Sequence, residues 1–202
     1  MKHIELNNIN FGADRYNKII KKSKIICVDF DNTVCLDEWP FVGPIIPGAI
    51  EVLMALEKAG HKLILYTQRN SHYPICCKEL YEYSIINHYI NEVDILTPAI
   101  NIFKENDIKL FDINANTLWE NETNDNSRKV FMDYLIDDHV IGTKRYLCKN
   151  SNGEICKIVN WWEIDKFCIE EGLYETPVLN MTHKEFYNNY IKKFCNNVSK
   201  VN

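Results

Sequence analysis

The stretch Asp29-Phe30-Asp31-Asn32-Thr33 sets two carboxylates two residues apart, directly behind the short apolar run Lys24-Ile25-Ile26-Cys27-Val28. If the chain leaves that run in a tight turn, both carboxylates can face one pocket. Clustered carboxylates repel one another, and a cation relieves the repulsion. Oxygen-only ligands suit Mg²⁺, which takes one or two carboxylates together with substrate phosphate. Asp137 and Asp138, a second acidic pair behind the run 130–136, can supply the rest of an oxygen shell. An ion held there would neutralise a phosphate dianion enough for a carboxylate to attack it. Aspartate is a nucleophile of this kind, forming an aspartyl-phosphate. A second carboxylate can protonate the leaving alcohol and then activate water.

These residues need elements to position them, and the apolar pattern provides candidates. The run 24–29 is β-branched and continuous, as in a parallel strand buried on both faces. Pro47 opens a helix with Ile50, Leu53, Met54 and Leu56 on one side and Gly60 as its stop. His61 to Thr67 is a second buried strand, helices follow at about 74–86 and 94–106, and 108–111 is a third strand. An Asn-rich polar loop runs to about 127, and 130–136 is a further strand. A hairpin is expected around Asn152-Gly153, a helix from Trp161 to Glu171 stopped by Gly172, and a last helix to about 196 opened by the Thr182/Glu185 capping-box spacing. The domains so read are a partly helical N-terminal extension at 1–23, a catalytic domain at 24–172 and a C-terminal helical extension at 173–202. Strands alternating with helices predict an α/β fold, a doubly wound, mostly parallel Rossmann-like sheet with helices on both faces. Ligands of such sheets bind beyond the carboxyl ends of the strands. Asp29, Asp31, Thr67, Asp137 and Asp138 would all converge there.

The bulk numbers fit a globular protein: 46% hydrophobic and 25% charged residues over 202 positions. No stretch is apolar enough to span a bilayer, and Met1-Lys2-His3-Ile4-Glu5 lacks the apolar region of a signal peptide, so a cytoplasmic location is expected. The eight cysteines form no C-x-x-C pair, and free thiols acting as small core residues are expected. The net charge of −5 disfavours a general nucleic-acid grip. The basic runs Lys18, Lys21, Lys22, Lys24 and Lys192, Lys193, Lys200 read as solvated helix faces.

In order along the chain, Asp29-x-Asp31-x-Thr33, Thr67, Lys129 and Asp137-Asp138 resemble the four motifs of the haloacid dehalogenase-like superfamily over about residues 24–172. Glu38-Trp39-Pro40-x-Val42-Gly43, Phe103-Lys104-Glu105-Asn106, Ser127-x-Lys129-x-Phe131 and Val159-Asn160-Trp161 are similar to a subgroup of small bacterial and phage hydrolases within it. The resemblance implies that Asp29 attacks phosphorus and binds Mg²⁺. Asp31 is then the acid/base and lends a backbone carbonyl to the metal. Thr67 hydrogen-bonds a phosphoryl oxygen, Lys129 neutralises the phosphoryl group, and Asp137 and Asp138 complete the metal site. Members that cleave carbon–halogen bonds lack an acid/base at the Asp31 position and ion-pumping ATPases carry Thr there, so Asp31 implies a phosphatase or phosphomutase. Phosphomutases carry a cap, and only about fifteen residues separate Asp31 from Pro47, enough for a flap. A capless enzyme is therefore expected.

Arg69, just past Thr67, could hold a second anionic group of the substrate or form a structural ion pair. Trp39 could stack on a substrate ring or anchor the flap. Arg128 rivals Lys129 for its role. The expected function is Mg²⁺-dependent hydrolysis of a small phosphorylated metabolite or nucleotide. Polynucleotide or protein-bound phosphate is the alternative substrate, and an inactive binding module on the same scaffold is the alternative class.

Overall fold

The computed structural model describes residues 23–123 and 129–198. The expectations for 1–22, for Ser127 and Arg128, and for Lys200 lie outside the described residues. The centre is a four-stranded parallel sheet in the order β7-β4-β1-β8: β1 is Ile25–Val28, β4 Lys62–Leu65, β7 Leu110–Ile113 and β8 Tyr134–Ile136. The chain steps outward from β1 to β4 to β7, then returns to place β8 on the other side of β1. The crevice between the carboxyl ends of β1 and β8 is thus a topological switch point, where open α/β sheets bind their ligands.

The unbroken apolar runs follow from burial on both faces. Ile26, Val28, Leu63 and Leu65 enter the main core, whereas Ile25, Cys27 and Ile64 face a second cluster. The main core is packed by α1 (Ala49–Lys58) through Val52, Leu53 and Leu56, by α3 (Thr97–Glu105) through Ala99 and Phe103, and by α5 (Trp161–Glu170) through Trp161 and Cys168. The other face is covered by α4 (Thr117–Thr123) with Leu118 and Trp119, and by Val130 and Met132, with Trp119 and Phe131 stacked at 4.2 Å. Helices do cover both faces, but α4 lies inside the stretch expected to be a polar loop. Its Asn-rich sequence hides a helix whose first turn is tied by Asp112 accepting from the Thr117 N–H and hydroxyl. The last sheet strand is shorter than the run 130–136, because Val130 and Met132 leave the sheet to pack on its second face.

Three additions build on this frame. β2 (Cys35–Glu38) and β3 (Phe41–Ile45) form a flap hairpin behind the Asp29 turn. Residues expected as an ordinary core helix from 74 instead begin with a two-residue strand, β5 (Tyr73–Pro74), paired with β6 (Glu92–Val93), with α2 (Lys78–Ile86) between them. This piece has its own apolar cluster, Leu80, Tyr83, Val93 and Ile95. It leans on the flap through Trp39 against Tyr73 at 6.0 Å and Phe41 against Tyr83 at 5.1 Å. The expected hairpin is β9 (Arg145–Lys149) with β10 (Ile155–Val159), turning at a left-handed Gly153. It buttresses the flap, where Ser151 N–H donates to Glu38 at 2.6 Å, and the turn after β1, where Val159 N–H donates to the Asn32 carbonyl at 3.0 Å.

The C-terminal segment shares the main core. The Thr182/Glu185 capping box opens α6 (His183–Phe186), which continues through a wider turn at Tyr187–Ile191 into α7 (Lys192–Val198). Leu179, Phe186 and Ile191 are buried against the same residues as α1 and α5. Gly48, at φ +88°, permits this: a Cβ there would meet Leu179 and Trp161 at 2.9 Å. Gly48→Ala should therefore cost about 2–4 kcal/mol, combining left-handed strain with overpacking. Gly60→Ala, at φ +90° with nothing within 4 Å, should cost only about 1–2 kcal/mol, from the strain alone. Denaturant unfolding of both variants checks the difference, and equal losses would contradict the packing account.

Burial also sorts the cysteines. It pushes the Cys27, Cys35 and Cys168 thiols up to about 12, and Cys148 and Cys156 are buried with them. Mass spectrometry after brief alkylation of native protein should find label at Cys76, Cys77 and Cys195 and, before unfolding, none at the other five.

Candidate active site

The backbone turns sharply after β1. The Phe30 carbonyl accepts from the Val34 and Cys35 N–H groups at 2.8 and 3.1 Å, and Asn32 takes a left-handed φ of 58°. This turn sends Asp29 and Asp31 into one cleft of about 430 Å³, lined also by Asn32, Asp37, Trp39, Thr67, Gln68, Arg69, Tyr73, Asp137, Asp138 and His139. Asp29, Asp31, Thr67, Asp137, Asp138, Arg69 and Trp39 are thus brought together from strand ends and flap. Lys129 is exposed, directly follows the undescribed 124–128 and is not among the residues lining the cleft.

Thr33 binds the two acidic pairs together. Fully buried, its hydroxyl donates to Asp29 Oδ2 at 3.1 Å and accepts the Asp138 N–H at 3.1 Å, while its carbonyl takes the Trp161 indole N–H at 2.7 Å. The Asp29 N–H donates to the Ile136 carbonyl at 2.9 Å, locking the ends of β1 and β8. Asp138 is buried, and its carboxylate pairs with His139 Nδ1 at 2.9 Å. Asp137 is the member of the pair whose charge is felt at Asp29. The ligand atoms of Asp137, Asp138 and His139 lie within 4.8 Å of one another.

On the β4 side, Asn114, at a left-handed φ of 52° just past β7, clasps the Thr67 backbone. Its side chain accepts the Thr67 N–H at 2.7 Å and donates to the Thr67 carbonyl at 2.8 Å. Thr67 Oγ1 accepts the Arg69 N–H at 3.2 Å, which leaves its own proton to donate into the cleft. Asn114 carries no motif, and only the close of β7 against β4 makes it visible.

Arg69 is 3% exposed. Its Nε and Nη2 grip Asp31 bidentately at 2.9 and 2.7 Å; Nη2 also reaches the Phe41 carbonyl at 2.9 Å, and Nη1 the Pro40 and Ile95 carbonyls at 3.0 and 3.3 Å. A guanidinium has five N–H donors, so every one of them is taken by the protein. Of the two expectations for Arg69, the structural ion pair is the arrangement found. Trp39 both lines the cleft mouth and meets Tyr73, consistent with either of its expected roles.

The electrostatics follow from crowding. Burial raises the Asp29 carboxyl to about 7, with Asp137 and then Asp31 adding to the rise. Burial also raises Asp31 against the opposing pull of Arg69, and raises Asp138 against that of His139. The cleft lining is oxygen-rich and anionic, with Asp29, Asp31, Asp137 and Asp138, the donor chemistry that a hard divalent cation prefers.

No protein family matches the chain, and no curated protein does. A solved structure described as the conserved protein coded by a locus from Bacteroides thetaiotaomicron is similar over 79% of this chain and 99% of its own. The two share 24% sequence identity, with a TM-score of 0.47. Among the described residues no helix is long and apolar enough to cross a membrane.

Raised carboxyl values link stability to pH. Between about pH 4, the ordinary carboxyl value, and about pH 7, that of folded Asp29, the folded state holds more protons than the unfolded chain. Stability from this site therefore falls as pH rises through that window. In metal-free buffer, the melting temperature should drop from pH 5 to pH 7.5 and respond less in Asp29→Asn. A flat profile in the parent protein would contradict the crowding.

Proposed function

We propose that this chain is a magnesium-dependent phosphomonoester hydrolase of the haloacid dehalogenase-like superfamily, with Asp29 as nucleophile. The observation that carries the reading is the convergence of Asp29 and Asp31 from the central strand with Thr67 and Asp137 from the strands on either side. These residue types suit aspartyl-phosphate chemistry, their chain order is that of the superfamily the sequence resembles, and they line one cleft at the switch point of the sheet.

Asp29, Asp137, Asp138 and the Asp31 carbonyl would hold Mg²⁺. When bound, the ion offsets the negative charge of nucleophile and phosphate. Thr33 fixes one Asp29 oxygen by its hydrogen bond and leaves the other to attack phosphorus. The Thr67 hydroxyl donates to a phosphoryl oxygen. As the P–O bond to the alcohol breaks, Asp31 gives the departing oxygen its proton, and Asp29 carries the phosphoryl group as a mixed anhydride. Asp31, now a carboxylate, takes a proton from water as that water attacks phosphorus. Inorganic phosphate leaves and both carboxyl groups return to their starting state. No step is assigned to Lys129. The substrate class is a small phosphorylated metabolite or nucleotide, with Trp39 and Tyr73 offering aromatic surface at the cleft mouth.

Asp29→Asn should abolish turnover and give no phosphoenzyme. Asp31→Asn should retain the attack but lose proton transfer, on the order of 10²–10⁴-fold, with less loss in the first step for an aryl phosphate than for an alkyl phosphate. Intact mass after acid quench with Mg²⁺ and aryl phosphate reads this directly: a phosphate adduct on Asp31→Asn and none on Asp29→Asn. An adduct on Asp29→Asn, or the same residual rate in both variants, rules out Asp29 as the nucleophile.

A further inference from the structure

We infer that Arg69 is a positioning residue that couples two things through one guanidinium: the orientation of the Asp31 carboxylate and the seating of the flap hairpin over the cleft. The chemical consequence rests on the phosphatase reading above; the coupling itself rests on geometry alone.

The guanidinium is a rigid planar fork. One edge, Nε and Nη2, is bidentate on Asp31 at 2.9 and 2.7 Å. The remaining donors point away from Asp31 to three backbone carbonyls: Pro40 and Phe41 of the flap, and Ile95 after β6. The Phe30 ring, 5.0 Å from Cζ, lies under the plane. Arg69's own N–H is tied to Thr67 at the end of β4. Four chain segments are therefore referred to one buried charged group that is 3% exposed.

A buried cation tolerates no stranded donors. Lifting the flap removes the Pro40 and Phe41 carbonyls together and leaves two N–H groups without their acceptors. The guanidinium must then follow the flap or turn towards new acceptors, and because the fork is rigid, either motion rotates its other edge away from Asp31. Conversely, losing the Asp31 carboxylate leaves the charge unpaired and loosens its hold on the two flap carbonyls. The acid/base group is in register when the flap is seated and out of register when it is lifted. Lysine cannot substitute: it keeps the charge but presents its donors from one atom at the end of a flexible stem.

The test uses the full chain and the variants Arg69→Lys, Arg69→Gln, Asp31→Asn and Arg69→Gln/Asp31→Asn. Hydrogen exchange should speed at least tenfold across residues 35–45 in both Arg69 variants, with strand 62–65 unchanged as an internal control for folding. With Mg²⁺, alkyl-phosphate turnover should fall on the order of 10²–10⁴-fold in both, while aryl-phosphate turnover falls at least tenfold less. Unchanged exchange in the flap overturns the coupling whatever the activity. So does a loosened flap with equal losses on the two substrates, which is the signature of a purely structural residue. Absence of turnover in the wild-type chain would sink the phosphatase reading alone. The coupling would then be judged on exchange: Asp31→Asn should loosen the flap as Arg69→Gln does, and the double variant should add nothing further. Additive loosening in the double variant overturns it.

Discussion

Carboxylates crowd the switch point between β1 and β8, and the surrounding structure is organised to hold them there. Asp29, Asp31, Asp37, Asp137 and Asp138 line one cleft, and burial raises Asp29, Asp31 and Asp138 further. Left alone, such a cluster would spread. It is held by a buried threonine bridging both acidic pairs, by the β1–β8 backbone bond at Asp29, and by a guanidinium on Asp31. These restraints position the carboxylates without neutralising them all, which is what the proposed binding of a cation and an anionic substrate would need.

The second layer of the protein reads as a consequence. Once Arg69 is buried beside Asp31, its remaining donors must find acceptors. The flap supplies Pro40 and Phe41, and the piece formed by β5, α2 and β6 supplies Ile95. The apolar contacts Trp39–Tyr73 and Phe41–Tyr83 join those two pieces, and the β9–β10 hairpin props the flap from behind through Ser151 and Asn150. Cleft walls that look like decorations in the topology are thereby linked to the carboxylate at their base.

A different constraint acts at Gly48, where the core is closely packed. The left-handed backbone there lets the C-terminal segment press Leu179 and Phe186 against Trp161. Trp161 in turn donates its indole N–H to the Thr33 carbonyl, so core packing and the turn after β1 share a residue. A segment that looks like an appended helix in the sequence is thus part of the core that contains Trp161.

What the sequence determined by itself was whatever depends on local periodicity and on charge at strand ends. The apolar runs at β1 and β4, the Asn152-Gly153 hairpin, the Thr182 capping box and the helix from Trp161 all follow from short-range rules. Because parallel strands point the same way, Asp29, Thr67 and Asp137 could be expected on one rim before any strand order was known. Tertiary structure decided everything that depends on pairing distant residues. Arg69 and Asp31 are 38 positions apart, and Thr67 and Asn114 are 47 apart. No local pattern shows whether a buried guanidinium turns to substrate or to backbone. The helix at Thr117–Thr123 and the strands Tyr73–Pro74 and Glu92–Val93 escaped for the same reason. They are too short to carry a period, and side chains and partners far along the chain stabilise them instead.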